Sequence, residues 1–359
     1  MALSKVNPNF VSQNLGRRNL VINGGMQVAQ RGDTTGLQSG YGGVDRFHLY
    51  GNTAARATLK QGGTDATGVV PHKHTLEIDC TTADASVATG DYHYLGHRFE
   101  GQSLQHIRKG TANAQSVTLS FWVSSPKTGI HIIQLYDNDN ARHISKSYTV
   151  NSANTFEKKT LTFAGDTSGA LGDDTNYSLQ IYWWLLAGSD YTSGTLTTSW
   201  SAWTAVNAAV GQVNVFDSTS NNFYLTGVQL EVGSFATDFE HRSYSEDLLL
   251  CQRYFQQLIG TSDAFTFPAK GQGSTTIDGT FPLAVPLRGS PTMNAISTRF
   301  FSDDGFSSST ATPTALQFDA RNFHLAVNIG SFSGGTSFAN NHAGVWCPTS
   351  SVLKIDAEI

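Results

Sequence analysis

From Asn19 to Val232, apolar side chains return at every second position, in short runs separated by connections rich in Gly, Asn, Asp, Ser and Thr. A period of two turns one face inward and the other outward, which is the signature of half-buried strands. The run Ser116–Ser124 reads SVTLSFWVS, with Val117, Leu119, Phe121 and Val123 on one side and Thr118, Ser120 and Trp122 on the other. His74–Cys80, Gly129–Tyr136, Phe156–Phe163, Asn214–Phe216 and Asn222–Val232 are further predicted strands. Tyr177–Leu186 (YSLQIYWWLL) is apolar on both faces near its end, as a central strand is. Leu20, Ile22, Met26 and Val28 also alternate, broken by Gly24-Gly25, where a bulge or bend is expected. Short strands between turn-rich loops predict a β-sandwich or jelly roll. Sustained 3.6-residue periodicity is absent from 19–240, with room for only one or two helical turns near Ser103–Arg108.

One segment reads as a helix. Ser243-Tyr244-Ser245-Glu246 fits a capping box, and Leu248, Cys251, Phe255 and Leu258 follow at helical spacing before Gly260. A helix that short must pack on something, either its own chain or symmetry mates. The expected organisation is an all-β chain: an arm 1–18, an N-terminal jelly-roll sandwich 19–242, a connecting helix 243–259 and a small C-terminal β-sandwich 260–359.

Composition narrows the function. Only 14% of residues are charged and the net charge is −5, against broad nucleic-acid binding. Residues 1–60 carry seven Lys and Arg against Asp33 and Asp45, a balance of +5, so the rest carries −10. A basic leading segment either docks on an acidic partner or is a solvated edge. The longest apolar stretch, about Tyr182–Ala187, is far short of the roughly 20 residues of a membrane helix. Cys80, Cys251 and Cys347 lie too far apart to suggest a zinc knuckle or disulfide framework.

Signals for catalysis or cofactors are weak. Asp137-Asn138-Asp139-Asn140 begins like a calcium loop but continues with Ala141 and has Tyr148 where a bidentate Glu is needed, so a hairpin turn is expected. His72-Lys73-His74 puts two imidazoles on one strand face, more simply a wet strand start after Pro71 than a metal site. Asp173, Asp174, Asp238 and Glu240 could pair for glycosyl transfer only if folding set two of them about 5–10 Å apart across a sugar. No cofactor, metal or catalytic group is expected. The aromatics say more. Tyr182-Trp183-Trp184 and Trp200-x-x-Trp203 flank the Gly/Ser/Thr-rich stretch 188–199. Exposed indoles and phenols stack on pyranose rings, and Trp184, Tyr191, Trp200 and Trp203 are the candidate glycan contacts, with burial between the sheets as the alternative.

Several motifs occur together and in order: Asn19-Leu-Val-Ile-Asn-Gly-Gly-Met-Gln-Val-Ala-Gln-Arg-Gly32, Asp45-Arg46-Phe47, Ser120-Phe-Trp-Val123, Val228-Gln-Leu-Glu-Val-Gly233, Ala236-Thr-Asp-Phe-Glu240 and Cys251-Gln-Arg-Tyr-Phe255. As a set they resemble bacteriophage tail-fibre and related virion appendage proteins with a carbohydrate-binding-module-like jelly roll. Phe281–Thr292 and Asp356-Ala-Glu-Ile359 are similar to the small β domain that often follows. The resemblance implies a homotrimer that contacts host-surface glycan and meets other phage tail or capsid proteins through residues 1–18, with neither nucleic acid nor membrane as partner. It implies a non-enzymatic place on the virion, as a tail fibre or other external appendage. A capsid-bound head fibre or cement protein is the alternative, and a glycan depolymerase a third. Arg46 and Glu231 are expected to pair across the sheet. Loop 303–312 and the tract 331–342 are a second candidate for receptor contact.

Overall fold

The computed structural model describes residues 17–63, 70–259, 267–271, 277–293, 296–302, 305–311, 313–317, 324–329, 343–348 and 352–358. The chain is all-β and divides into two compact units, 1–244 and 245–359. Residues 1–16 of the expected arm 1–18 and the tract 331–342 lie outside the described residues.

The first unit is a jelly-roll sandwich of two antiparallel sheets. Its strands are β1 (Thr34–Leu37), β2 (Gly40–Tyr41), β3 (Phe47–Gly51), β4 (Arg56–Gly63), β5 (His74–Thr82), β6 (Tyr92–Glu100), β7 (Val117–Ser124), β8 (Gly129–Asp137), β9 (Arg142–Val150), β10 (Glu157–Phe163), β11 (Tyr177–Ala187), β12 (Ser201–Ala202) and β13 (Asn222–Val232). One sheet runs β1-β4-β5-β13-β7-β10 and the other β12-β9-β8-β11-β6-β3-β2. Val117, Leu119, Phe121 and Val123 of β7 meet Leu179, Ile181, Trp183 and Leu185 of β11 in one apolar core between the sheets. Burial of this kind yields about 25 cal/mol per Å² and is the main term holding the layers together. Asn214–Phe216 is not a strand; Val215 and Phe216 are buried as part of a loop that hydrogen-bonds β11 through Val215 N and Leu185 O, 2.7 Å. Two 3-10 turns, Gly101–Ser103 and Gln105–Ile107, replace the short helix expected there. A four-residue helix, α1 (Ser189–Thr192), follows β11.

The leading segment differs from its expected alternation. Val21, Met26 and Val28 are fully buried, whereas Leu20 and Ile22 are only half-buried. The cause is a turn at 22–25 that inverts the facing, held by a buried asparagine. Asn23 Nδ2 donates to Val28 O (2.8 Å) and Asp45 O (3.1 Å), and its Oδ1 accepts from Val28 N (3.0 Å). Asn19 Oδ1 accepts from Val21 N and Leu230 N, and Leu20 N donates to Leu230 O. The segment therefore lies along β13 without forming a ladder.

The end of the unit closes over this beginning. Glu240 accepts from the backbone N–H groups of Arg18 (3.0 Å) and Asn19 (2.8 Å). Glu240 N donates to Gln229 Oε1 (2.8 Å), and the Arg242 guanidinium donates to Asn19 O and Val21 O. Glu231 accepts from Thr237 N and Oγ1 and from Gln229 Nε2, so its partners are not Arg46, which donates to Arg98 O (2.8 Å). The expected Arg46–Glu231 pair is thus replaced by a latch tying residues 18–28 to 229–242.

The latch is acid-sensitive. Burial alone would raise the Glu240 carboxyl, but the N–H groups of Asn19 and Arg18 and the nearby Arg242 and Arg18 charges outweigh it and hold the pKa below the ordinary 4.5. A carboxyl lowered in the folded state stabilises fully above its unfolded value and loses that contribution as pH falls through the folded one. Glu240→Gln puts an NH2 group against one of the two backbone donors. We expect the variant to be less stable by about 1–3 kcal/mol at pH 7. Its deficit in urea titrations should shrink below about pH 4.5.

The second unit opens with α2 (Tyr244–Gln252), shorter than the expected 243–259. Its buried residues are Asp247 and Cys251, while Leu248 is half-buried and Leu249 is exposed, so of the anticipated apolar stripe only Cys251 is a fully packed helical residue. The chain turns at Cys251–Tyr254, and β14 (Phe255–Ile259) takes over residues expected to be helical. A non-local ladder with the C-terminal strand competes successfully here: Phe255 stands opposite Asp356 and Ile259 opposite Val352. The remaining strands are β15 (Phe267–Gly271), β16 (Ile277–Pro282), β17 (Thr292–Met293), β18 (Ile296–Ser302), β19 (Gly305–Ala311), β20 (Pro313–Gln317), β21 (His324–Ile329), β22 (Ala343–Pro348) and β23 (Val352–Asp356). They form a sheet β14-β23-β17 and a seven-stranded sheet β19-β18-β22-β15-β16-β21-β20. Most of loop 303–312 is β19, paired with β18.

Candidate functional site

The outward face of the seven-stranded sheet of the first unit is aromatic. On β11, Trp183 points into the core and its neighbours Tyr182 and Trp184 point out, the opposite parity required by a strand. Register then assembles the face. Tyr94 of β6 stands opposite Trp184, and Gly96 opposite Tyr182. On the other side Gln134 of β8 stands opposite Tyr182, and Tyr136 opposite Gln180. Tyr94 and Tyr182 stack with ring centroids 4.1 Å apart, and Tyr136 stacks on Tyr182 at 5.9 Å.

A loop wall rises over this floor. Tyr191 of α1 packs edge-on to Tyr92 (5.5 Å) and against Trp184 (5.4 Å). Trp203, just after β12, meets Tyr136 edge-on at 5.4 Å and His143 at 4.9 Å. Between floor and wall lies a groove of about 290 Å³ lined by Tyr92, Tyr94, Tyr136, Asn138, Tyr177, Tyr182, Trp184, Tyr191 and Trp203. No carboxylate is among these lining residues.

Polar relays on the same outward face fix the floor. The Trp184 N–H can only donate, and it reaches Gln134 Oε1 at 2.9 Å. The Gln134 amide nitrogen must then face His143 Nδ1, 3.0 Å away, and donate to it. A second relay of the same logic joins Arg98 Nε to Gln180 Oε1 (3.2 Å) and the Gln180 amide to His48 Nε2 (3.3 Å). Both imidazoles accept, so both are neutral. Burial accounts for this, pushing His143 down to about 4 and His48 well below its ordinary value, with the Arg98 and Arg46 charges adding to the effect at His48. Gly96 makes the second relay possible: a Cβ there would sit 2.4 Å from Gln180 Nε2 and 2.5 Å from His48 Cε1. The Arg98 guanidinium also lies 4.6 Å above the Tyr177 ring at the groove's margin.

Of the four sequence candidates, the structure brings Trp184, Tyr191 and Trp203 together in the groove and places Trp200 elsewhere. Trp200 packs against the core, donates its N–H to Ala164 O (2.8 Å) and carries the Lys109 ammonium 5.0 Å over its ring. Trp184 is 2% exposed and forms floor rather than rim. Tyr92, Tyr94, Tyr136, Tyr177 and Tyr182 were not among the candidates. Their signal was tyrosine at i, i+2 (Tyr92-x-Tyr94) and the shared parity of Tyr182 with Trp184.

The other motifs fall outside the groove. Asn138–Ala141 is the β8–β9 turn, and Asp137 pairs with Lys109. His72 packs edge-on to Phe239 (4.5 Å), His74 begins β5, and no cluster of three metal-ligating side chains occurs among the described residues. Asn19–Val28, Asp45, Gln229–Glu231 and Thr237–Glu240, which carry much of the motif set, meet in the latch.

No protein-family model and no curated protein matches the chain. Among solved structures it is similar to the enzymatically active domain of Bacteriophage CBA120 tailspike protein 4, at 12% identity and a TM-score of 0.31, over 60% of this chain but only 21% of that one. It is similar to TmCBM61 in complex with β-1,4-galactotriose at 8% identity and a TM-score of 0.31, over 60% of this chain and 99% of that one. It is also similar to the family 11 carbohydrate-binding module of a Clostridium thermocellum cellulosomal cellulase, at 13% identity and a TM-score of 0.29, over 58% and 98%.

Proposed function

We propose that the first unit is a carbohydrate-binding module that takes a neutral oligosaccharide in the tyrosine–tryptophan groove. The observation carrying this reading is the groove itself: eight aromatic side chains and one asparagine, prealigned by register and by two glutamine relays. Phenol and indole faces stack on the C–H faces of sugar rings, while their O–H and N–H groups and Asn138 serve the hydroxyls. Neutral imidazoles beside the floor and a lining without carboxylates suit an uncharged ligand. The same lining lacks the pair of acids that hydrolysis of a glycosidic bond requires, which favours binding over turnover.

For the whole chain the reading is a phage virion protein, a trimeric tail fibre or tail-associated adhesin contacting host-surface glycan. The ordered motif set supports it, and three copies would raise weak glycan contacts through effective concentration. Titration of the full chain with neutral β-linked oligosaccharides, followed by indole fluorescence, tests the binding role. Saturable quenching at millimolar or lower ligand is expected. No saturable response across a panel of neutral glycans defeats the proposal.

A further inference from the structure

A second pocket lies away from the aromatic groove, where the 3-10 turn loop 105–113 faces the loop 169–171. Its volume is about 410 Å³. The floor is apolar, formed by buried Leu104 with half-buried Leu171 and exposed Ala170 beside it. The two loops approach closely because Gly110, at φ +82°, has no Cβ; one there would sit 2.4 Å from Ala170 N. The rim is polar and unsatisfied. The Arg108 guanidinium and the Asn113 carboxamide are exposed and have no partner among the described residues. Both amide hydrogens of Gln105 are used, by Gly101 O (2.9 Å) and Gly172 O (2.8 Å), which leaves its Oε1 as an open acceptor.

Arg108 is held there against its own backbone preference. Its φ of 53° and ψ of 31° lie in the left-handed region, where a residue with a Cβ is strained and Gly or Asn is usual. The loop is nonetheless pinned: Arg108 N donates to Gln105 O, Thr111 Oγ1 donates to Arg108 O, and Gln115 N donates to Ile107 O. The neighbouring buried charges are balanced among themselves, since Lys109 and Arg142 face Asp137 and Asp166. Arg108 is therefore the single uncompensated charge among the lining residues, which include no carboxylate.

We infer that this pocket is a second carbohydrate site that takes a uronic-acid residue, its carboxylate on Arg108. One guanidinium matches one carboxylate in charge and in planar, bidentate geometry, whereas a phosphate dianion would need a second cation. Asn113 and Gln105 Oε1 answer ring hydroxyls, and Leu104 and Leu171 meet the C–H face. Such a site would let one protein engage a polysaccharide that mixes neutral and acidic sugars.

The test is calorimetric titration of the full chain with sodium galacturonate, galactose and sodium sulfate. Galacturonate should bind saturably, galactose at least about tenfold more weakly, and sulfate should not displace the sugar at equal concentration. Arg108→Gln should weaken galacturonate at least about tenfold and Arg108→Lys by less, since the charge stays and the fork is lost. Arg108→Gly should fail to bind yet melt above wild type, because the strain is relieved. Trp203→Ala should leave galacturonate affinity unchanged, which separates this site from the groove. Equal binding of galactose and galacturonate by the Trp203→Ala protein, displacement by sulfate, undiminished binding by Arg108→Gln, or a lower melting point for Arg108→Gly each overturns the inference.

Discussion

Lys109→Met is expected to destabilise the first unit by about 3–5 kcal/mol, the cost of removing one partner from a buried ion network. The ammonium is 3% exposed and is bonded to Asp137, Asp166 Oδ2 (3.0 Å), Ser168 O (3.1 Å) and Gly169 O (2.9 Å). Every hydrogen bond it makes is to oxygen, so no apolar side chain of similar length can replace it. Two carboxylates and two carbonyls would lose a donor in a site too dry to supply water freely. Asp166 would keep its two bonds from Arg142, at 2.7 and 3.0 Å, and Asp137 would keep Asn140. The burden therefore falls chiefly on Asp137, which is fully buried. Adding Asp137→Asn to Lys109→Met should return part of the loss, giving a coupling above about 1 kcal/mol in a double-mutant cycle of urea unfolding. A single-variant loss under about 1 kcal/mol would show that the network is dispensable.

Trp203→Ala is expected to weaken oligosaccharide binding by about tenfold to a hundredfold, or roughly 1.4–2.8 kcal/mol, while shifting the melting temperature little. Trp203 is half-buried on the groove wall, and its indole N–H has no partner among the described residues. Its removal takes away stacking surface without opening the core. Tyr182 cannot serve as the same probe. It is buried beneath Tyr94, and its loss would collapse the floor as well as the ligand contact. Calorimetry paired with thermal melting separates the two effects. Unchanged affinity in a folded Trp203→Ala protein would remove the groove as the binding site.

How legible the sandwich was depended on which side chains faced inward. β7 alternates apolar core residues with others plainly, and its bounds and those of β8 were close to those expected. β6 was not predicted, because its alternation is inverted in chemistry. His93 and His97 point inward and are fully buried, while Tyr92 and Tyr94 point outward. A pattern search for oily cores reads such a strand as noise. β9 (RHISKSYTV) hides in the same way behind Arg142, Lys146 and its serines. Part of the site was legible for a related reason: Trp184 and Tyr191 stood out as large aromatics beside a Gly/Ser-rich loop. The tyrosines of β6 and β8 reach the groove only through strand register, which is set by partners 40 or more residues away. The helix end failed for the same cause, since the β14 ladder joins residues about a hundred apart in sequence.

The latch makes the first unit's beginning and end immediate neighbours, with Arg18 bonded to Glu240 across 222 positions. On a translating ribosome the opening segment must therefore wait for its clasp. At about 5–20 residues per second that interval is on the order of tens of seconds. Until β13 and Arg242 emerge, residues 19–28 have no strand to lie along, and nascent chains stalled short of that point should be the ones chaperones hold.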